Sequence, residues 1–128
     1  MMKMTKIIFG CVAACAVSLA LQPGSASAAD GEKVFKKCAA CHTTEVGKHR
    51  VGPSLAGVVG RKAGTAEGYN RYKGLKDADW VWTEDELMAY LDDPTKYTKD
   101  KTGQRSSMGF KLKKEDERKA VIEYLKAH

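Results

Sequence analysis

Cys38-Ala39-Ala40-Cys41-His42 is the stretch from which the rest of this 128-residue chain is best read. Two thiols three residues apart with a histidine directly after them form the attachment signature of a c-type haem. Cysteines one helical turn apart reach the two vinyl groups on one porphyrin edge and form thioethers, and the next residue then lies under the ring, where its imidazole ligates iron. A bare CxxC pair also serves as a redox disulfide or as half of a zinc site. The second CxxC or histidine cluster of structural zinc is absent, and so is the βαβ setting of a thioredoxin-like site.

The N-terminus carries an export signal. Lys3 and Lys6 precede an apolar run from Ile7 to Leu21, followed by Gln22-Pro23-Gly24 and the small residues Ser25 to Ala29. This pattern predicts a secretory signal peptide over residues 1–29, cleaved after Ala28 or Ala29. The run is too short and too alanine-rich for a membrane span. Val12-Ala13-Ala14-Cys15 loosely resembles a lipoprotein cleavage box, but the apolar run continues past Cys15, which argues against lipidation. Processing removes Cys11 and Cys15 and leaves Cys38 and Cys41, so the exported chain needs no disulfide framework.

Residues 30–128 are then one small domain. Its modest core makes a buried cofactor a large part of its apolar contact. Removing Lys3 and Lys6 from a net charge of +6 leaves +4. A mildly basic exported protein suits acidic protein surfaces and transient contact with anionic membrane. No nucleic-acid motif occurs.

Hydrophobic spacing predicts helices joined by glycine-rich loops. Val34, Phe35, Cys38 and Cys41 recur at helical spacing after Asp30, read as an N-cap. Thr83-Glu84-Asp85-Glu86 reads as a capping box before Leu87, Tyr90 and Leu91. Pro94 ends that helix, and Asp93-Pro94 starts a short turn. Acidic Glu115 to Glu117 open a final helix containing Val121, Ile122, Tyr124 and Leu125 and closing near Lys126, an order that suits the helix dipole. No alternating run supports a sheet, so the expected fold is all-α, with about four to five helices and loops wrapped around a flat cofactor.

Across residues 30–128 these segments resemble the class I cytochromes c, most closely the soluble periplasmic ones of photosynthetic and respiratory bacteria. Gly31-Glu32-Lys33-Val34-Phe35 is similar to the family's first helix, and Gly52-Pro53-Ser54-Leu55 to its Gly-Pro-x-Leu loop. Gly60 to Thr65 resembles the loop that reaches the haem propionates. Trp82 to Leu91 and Asp93 to Tyr97 resemble the two helices that follow, Ser107-Met108-Gly109-Phe110 the sixth-ligand loop, and Val121 to Lys126 the last helix.

The resemblance implies one covalent haem c on Cys38 and Cys41, with His42 and Met108 as iron ligands. Met88, on a helix beside Leu87 and Leu91, reads as core filler. Met108 lies among Gly103, Ser106, Ser107 and Gly109, small residues that let a loop approach a haem face. His49 is the rival ligand, but its counterpart in the family makes structural hydrogen bonds. The resemblance further implies that the Pro53 carbonyl accepts from His42, that the Tyr90 hydroxyl approaches the methionine sulfur, and that Arg61, Tyr72, Trp82 and Ser106 serve the propionates.

A thioether donor favours ferrous iron and leaves no open position for substrate. The expected function is a one-electron carrier, not an enzyme. It takes electrons from a quinol-oxidising cytochrome bc complex or a periplasmic dehydrogenase and passes them to a terminal oxidase, a reductase or a photosynthetic reaction centre. The alternative from another class is a haem enzyme or ligand sensor with a dissociable sixth ligand.

The expected carrier is monomeric and docks acidic partners. Lys37, Lys48, Arg50, Lys96, Lys99, Lys101, Arg105, Lys111, Lys113 and Lys114 fall in segments that ring the exposed haem edge in the family, so the resemblance implies a docking rim there. Acids gather instead at Asp77, Asp79, Glu84 to Glu86 and Glu115 to Glu117. Ser107 stands where the family often has lysine, with Arg105 as the nearest replacement.

Overall fold

In the computed structural model, which describes residues 27–128, four helices are present: α1 (Ala28–Phe35), α2 (Glu84–Asp92), α3 (Pro94–Thr102) and α4 (Glu115–Lys126). Among the described residues the only strand-like pairing is one isolated bridge between Lys62 and Val81. None of these helices is long and apolar enough to cross a membrane. The leader reading for residues 1–29 lies outside the described residues, except for Ser27 to Ala29. The lipoprotein-like box at Cys15 lies outside them entirely.

The cap of α1 differs from expectation. In the uncleaved chain Ser27 rather than Asp30 is the N-cap, its Oγ accepting from the Asp30 N–H at 3.3 Å; a chain cleaved after Ala28 or Ala29 lacks this residue. Asp30 sits inside the first turn, where its charge still meets the positive end of the helix dipole. Regular helix stops at Phe35, and linked turns carry the chain on: Cys38 N–H bonds Phe35 O at 2.8 Å, and both Cys41 and His42 N–H bond Cys38 O at 3.0 Å. The two thiols thus sit at the ends of one hydrogen-bonded turn.

Only half of the expected capping box at α2 forms. Thr83 accepts from the Glu86 N–H at 3.2 Å. The Glu86 side chain does not return to Thr83. It points to α3, where it meets Tyr97 and lies 2.8 Å from Lys101 Nζ. A charged partner on another helix outcompetes the local amide. Asp93 and Pro94 do start a helix, with Asp93 accepting from Lys96 N–H, but it runs nine residues to a left-handed Gly103 (φ 74°) rather than one short turn.

α1 packs against α4 at a close crossing. A Cβ built on Gly31 would lie 2.5 Å from Tyr124 Cβ and inside the Ala120 carbonyl. Beside it the rings of Phe35 and Tyr124 are 5.2 Å apart. Overpacking of this kind costs about 1–3 kcal/mol. Gly31→Ala is expected to lose that much stability in denaturant unfolding, despite alanine's better helix propensity. A more stable variant would show that the crossing adjusts freely.

The core joins Phe35, Val121, Ile122 and Leu125 at this crossing to Leu75, Trp82, Leu87, Tyr90 and Leu91. Arg118 ties α4 to α2, with its guanidinium 2.8 Å from the Leu112 carbonyl and 3.3 Å from the Asp92 carboxylate. The loops between α1 and α2 hang from this frame and carry most of the site.

Candidate haem-binding site

His42 is half-buried, and its Nδ1 lies 2.7 Å from the Pro53 carbonyl oxygen. A carbonyl only accepts, so Nδ1 carries the proton and Nε2 keeps a free lone pair. Gly52 packs directly on this ring: a Cβ there would fall 2.7 Å from Nδ1 and 2.8 Å from Nε2. Gly52 N–H also donates to Cys41 O at 2.8 Å, locking the Gly-Pro segment to the CxxCH turn. Burial, joined by the Arg61 charge, holds the imidazole below its ordinary pKa against the opposing Pro53 bond. A neutral imidazole with Nε2 free is the form that ligates a metal.

Cys38 and Cys41 are free thiols. Burial pushes Cys38 up to about 11. A dithiol redox centre works through a depressed thiol, so this environment disfavours that reading. No cluster of three or more His, Cys, Asp or Glu suited to a metal ion occurs among the described residues, which likewise disfavours the zinc reading.

His49 uses both ring nitrogens. Nδ1 accepts from Ser54 N–H at 2.9 Å, and Nε2 donates to Glu67 O at 2.8 Å. It links two loops and has no lone pair to spare. His128 lies at the exposed C-terminus with Nδ1 2.8 Å from Tyr124 O.

The Met108 loop is organised by Ser106 and Tyr90. Ser106 Oγ accepts from Met108 N–H at 3.1 Å and lies 3.1 Å from the Tyr90 hydroxyl. That hydroxyl is 3.7 Å from Met108 Sδ. Tyr90 is buried in α2, and burial raises its phenol against the bond from Ser106. Ser106 therefore ties the methionine loop to Tyr90. Met88 is partly buried against the core, so removing its side chain costs less than full burial implies.

Arg61 is half-buried, with its two terminal nitrogens on Ala56 O (3.0 Å) and Ser54 O (3.1 Å). Its Nε is buried without a partner. Burial lowers the guanidinium's pKa. An arginine held by two loop carbonyls with one buried donor spare suits an anionic group. The Tyr72 hydroxyl accepts from Ala66 N–H at 2.9 Å, which leaves its own proton to donate. Trp82 is 5% exposed and lies ring-to-ring with Tyr90. Arg61 perturbs both His42 and Tyr72, and Tyr72 perturbs Tyr90, so these groups share one electrostatic neighbourhood.

This donor set fits a covalently held haem: two thiols, an imidazole with a free nitrogen, a thioether with its own hydrogen-bonded loop, and a spare buried cationic donor for a propionate. Gly52 and the carbonyls of Ser54 and Ala56 were not singled out as site residues in the sequence. The Gly-Pro dipeptide pointed to the first, and nothing local pointed to the other two.

Comparison with known proteins agrees. The family model described as cytochrome c matches residues 28–128. A cytochrome c2 of Rhodopseudomonas palustris is 45% identical over 111 residues, covering 77% of this chain and 95% of that protein. A cytochrome c2 of Rhodospirillum rubrum is 40% identical and covers 98% of both chains. The solved structure of cytochrome c2 from Rhodospirillum centenum superposes with a TM-score of 0.71 at 39% identity, covering 79% of this chain and 97% of that one. On fold, site and relatives together, the chain belongs to the cytochrome c family, an all-α class I electron-transfer protein carrying one covalent haem c.

Proposed function

We propose that this protein is a periplasmic one-electron carrier whose iron is held between His42 Nε2 and Met108 Sδ, with thioethers at Cys38 and Cys41. The observation that carries the ligand assignment is the pair of hydrogen-bonded supports: Pro53 O on His42, and Tyr90 with Ser106 on the Met108 loop. Bound haem supplies the one-electron couple. The chain does the rest. Pro53 fixes the imidazole ring and raises its basicity. Tyr90 and Ser106 hold the thioether in place. Arg61, with Tyr72 and Trp82, offers donors on the propionate side. With His42 and Met108 both holding the iron, no position would remain for substrate, which suits a carrier. Residues 1–29 act as the cleaved export signal and residues 30–128 as the carrier domain, monomeric and without a lipid anchor.

The partners proposed are membrane redox complexes with acidic docking surfaces: a quinol-oxidising cytochrome bc complex or a periplasmic dehydrogenase as donor, and an oxidase or a reaction centre as acceptor. The basic rim is less free than its sequence suggests. Lys37 pairs with Glu117, Lys96 with Asp100, Lys101 with Glu86, Lys111 with Asp93 and Lys113 with Asp92. Among the described residues Arg50, Lys99 and Arg105 of this rim have no ion pair and are exposed, though Arg50 donates to the Ala39 carbonyl at 2.7 Å. Arg105 stands three residues before Met108, and Phe110, 43% exposed, two after it. Paired charges present a smaller field to a partner, and steering is screened over about 8 Å at physiological ionic strength.

Charge reversal at Arg105 or Lys99 is expected to lower the association rate with native membranes several-fold at low salt, with the potential unchanged. Lys119→Glu, at a lysine already paired with Glu115, should change it less than about two-fold. Equal losses at both sites would leave only a net-charge effect.

A further inference from the structure

Four aromatic rings form a continuous contact network running outward from Met108. Tyr90, whose hydroxyl approaches the sulfur, has its ring 4.8 Å from Trp82 and 5.5 Å from Tyr97. Trp82 stacks on Tyr97 at 6.0 Å, and each lies 5.8 Å from Trp80. Tyr90 and Trp82 are buried, while Tyr97 and Trp80 are half-buried. Trp80 also lines a surface cavity of about 200 Å³ with Asp77, Lys101 and Gln104. The network therefore connects the methionine side of the site to solvent.

Its outer end is chemically specific. The Tyr97 hydroxyl donates to Glu86, and Lys101 holds the same carboxylate from its other oxygen. Those two bonds, Lys101 first, keep Glu86 below the usual carboxylate range. Burial, then the bond to Glu86, keeps the Tyr97 phenol above its ordinary range. Tyr97 thus holds its proton while it is reduced. Removing an electron makes a phenol strongly acidic, and an ionised acceptor is already aligned. Trp80 lacks such an acceptor: its Nε1 is buried and unpartnered. The Lys101 ammonium lies 4.7 Å above its ring and so opposes a cationic radical there. The same ammonium lies 5.0 Å over the Tyr97 ring, but a neutral phenoxyl there carries no such penalty.

We propose that Tyr97, with Glu86 as its proton acceptor, is the resting place for oxidising equivalents that enter this aromatic network, which draws them away from Tyr90 and Met108. In the step, Tyr97 gives one electron to an external one-electron oxidant. Its O–H bond breaks and the proton passes to the Glu86 carboxylate. The products are a neutral tyrosyl radical, a carboxylic acid and the reduced oxidant. A small-molecule reductant, such as a thiol or phenol, restores Tyr97 by returning one electron as Glu86 returns the proton. Met108 is the residue spared, because oxidation to the sulfoxide would convert a soft ligand into a polar one. That benefit rests on the ligand assignment above, whereas the radical site does not.

The test uses the ferric holoprotein with both Tyr69 and Tyr124 changed to Phe, illuminated with tris(bipyridyl)ruthenium and persulfate, then frozen for electron paramagnetic resonance. A neutral tyrosyl signal is expected. Adding Tyr97→Phe should abolish it. Glu86→Gln should weaken it several-fold, and in both variants oxidised Met108, read by mass spectrometry, should rise at least three-fold. A tyrosyl signal that survives Tyr97→Phe would overturn the proposal. So would a tryptophanyl signal in the parent, or unchanged Met108 oxidation in both variants. The methionine–iron charge-transfer absorption of the starting protein reads the ligand assignment separately, so its absence would fail that assignment and not the radical site.

Discussion

In Met108→Ala the reduction potential is expected to fall by a few tenths of a volt, within the roughly 0.8 V over which axial ligands move haem potentials. The thioether is a neutral, soft donor that favours the ferrous state, and alanine cannot replace it. Three further changes follow from the same loss. Ferrous protein should bind carbon monoxide, because a coordination position opens. The red charge-transfer absorption of the ferric form should vanish. Tyr90 should lose its restraint on the loop, since its hydroxyl no longer has a sulfur 3.7 Å away, while Ser106 keeps its bond to the backbone N–H of residue 108.

Met88→Ala is the control. Met88 is only partly buried against the core, so its loss should reduce stability by less than the roughly 2–5 kcal/mol of a fully buried methionine and leave the absorption intact. Spectra and titrations that respond to Met88 instead would move the ligand role to α2.

The local signals were legible where short-range chemistry decides. CxxCH closes a single turn because its hydrogen bonds lie within five residues. Thr83 caps α2 and Pro94 begins α3 because both signals act on adjacent backbone. The pairing of His42 with Pro53 and of Tyr90 with Met108 was reached through family resemblance, since periodicity carries no information about loops 11 and 18 residues apart. What was illegible depends on where helices meet. Glu86 read as a capping residue, but Tyr97 and Lys101 on α3 offer it a hydroxyl and an ammonium. The basic rim looked unpaired in sequence, yet Lys111 and Lys113 return from 18 and 21 residues away to Asp93 and Asp92. Exposed pairs of this kind contribute only about 0–1 kcal/mol each, so a docking partner can displace them.

Gly52 shows how a residue without a side chain can govern a ligand. Its Cβ position is occupied by the His42 ring, within 2.7 Å of Nδ1 and 2.8 Å of Nε2. Gly57 is the converse: it has φ +64°, but nothing lies within 4 Å of its Cβ position. Alanine at Gly57 therefore tests backbone conformation alone, at about 1–2 kcal/mol for a left-handed residue. Alanine at Gly52 tests space alone, because that glycine is outside the left-handed region. To fit, either the imidazole tilts or the Gly52-Pro53 segment moves off it, and both changes lengthen the 2.7 Å bond to Pro53 O.

Overpacking predicts a loss of about 1–3 kcal/mol for Gly52→Ala, similar in stability to Gly57→Ala. The distinguishing result lies at the ligand. In the ferric holoprotein, Gly52→Ala should shift the paramagnetic NMR resonances of the His42 ring and raise the potential, because an imidazole that loses its Pro53 partner is a less basic donor and stabilises ferric iron less. Gly57→Ala should leave both unchanged. If the two variants lose equal stability and neither moves the His42 resonances, the close approach of Gly52 does not position the ligand.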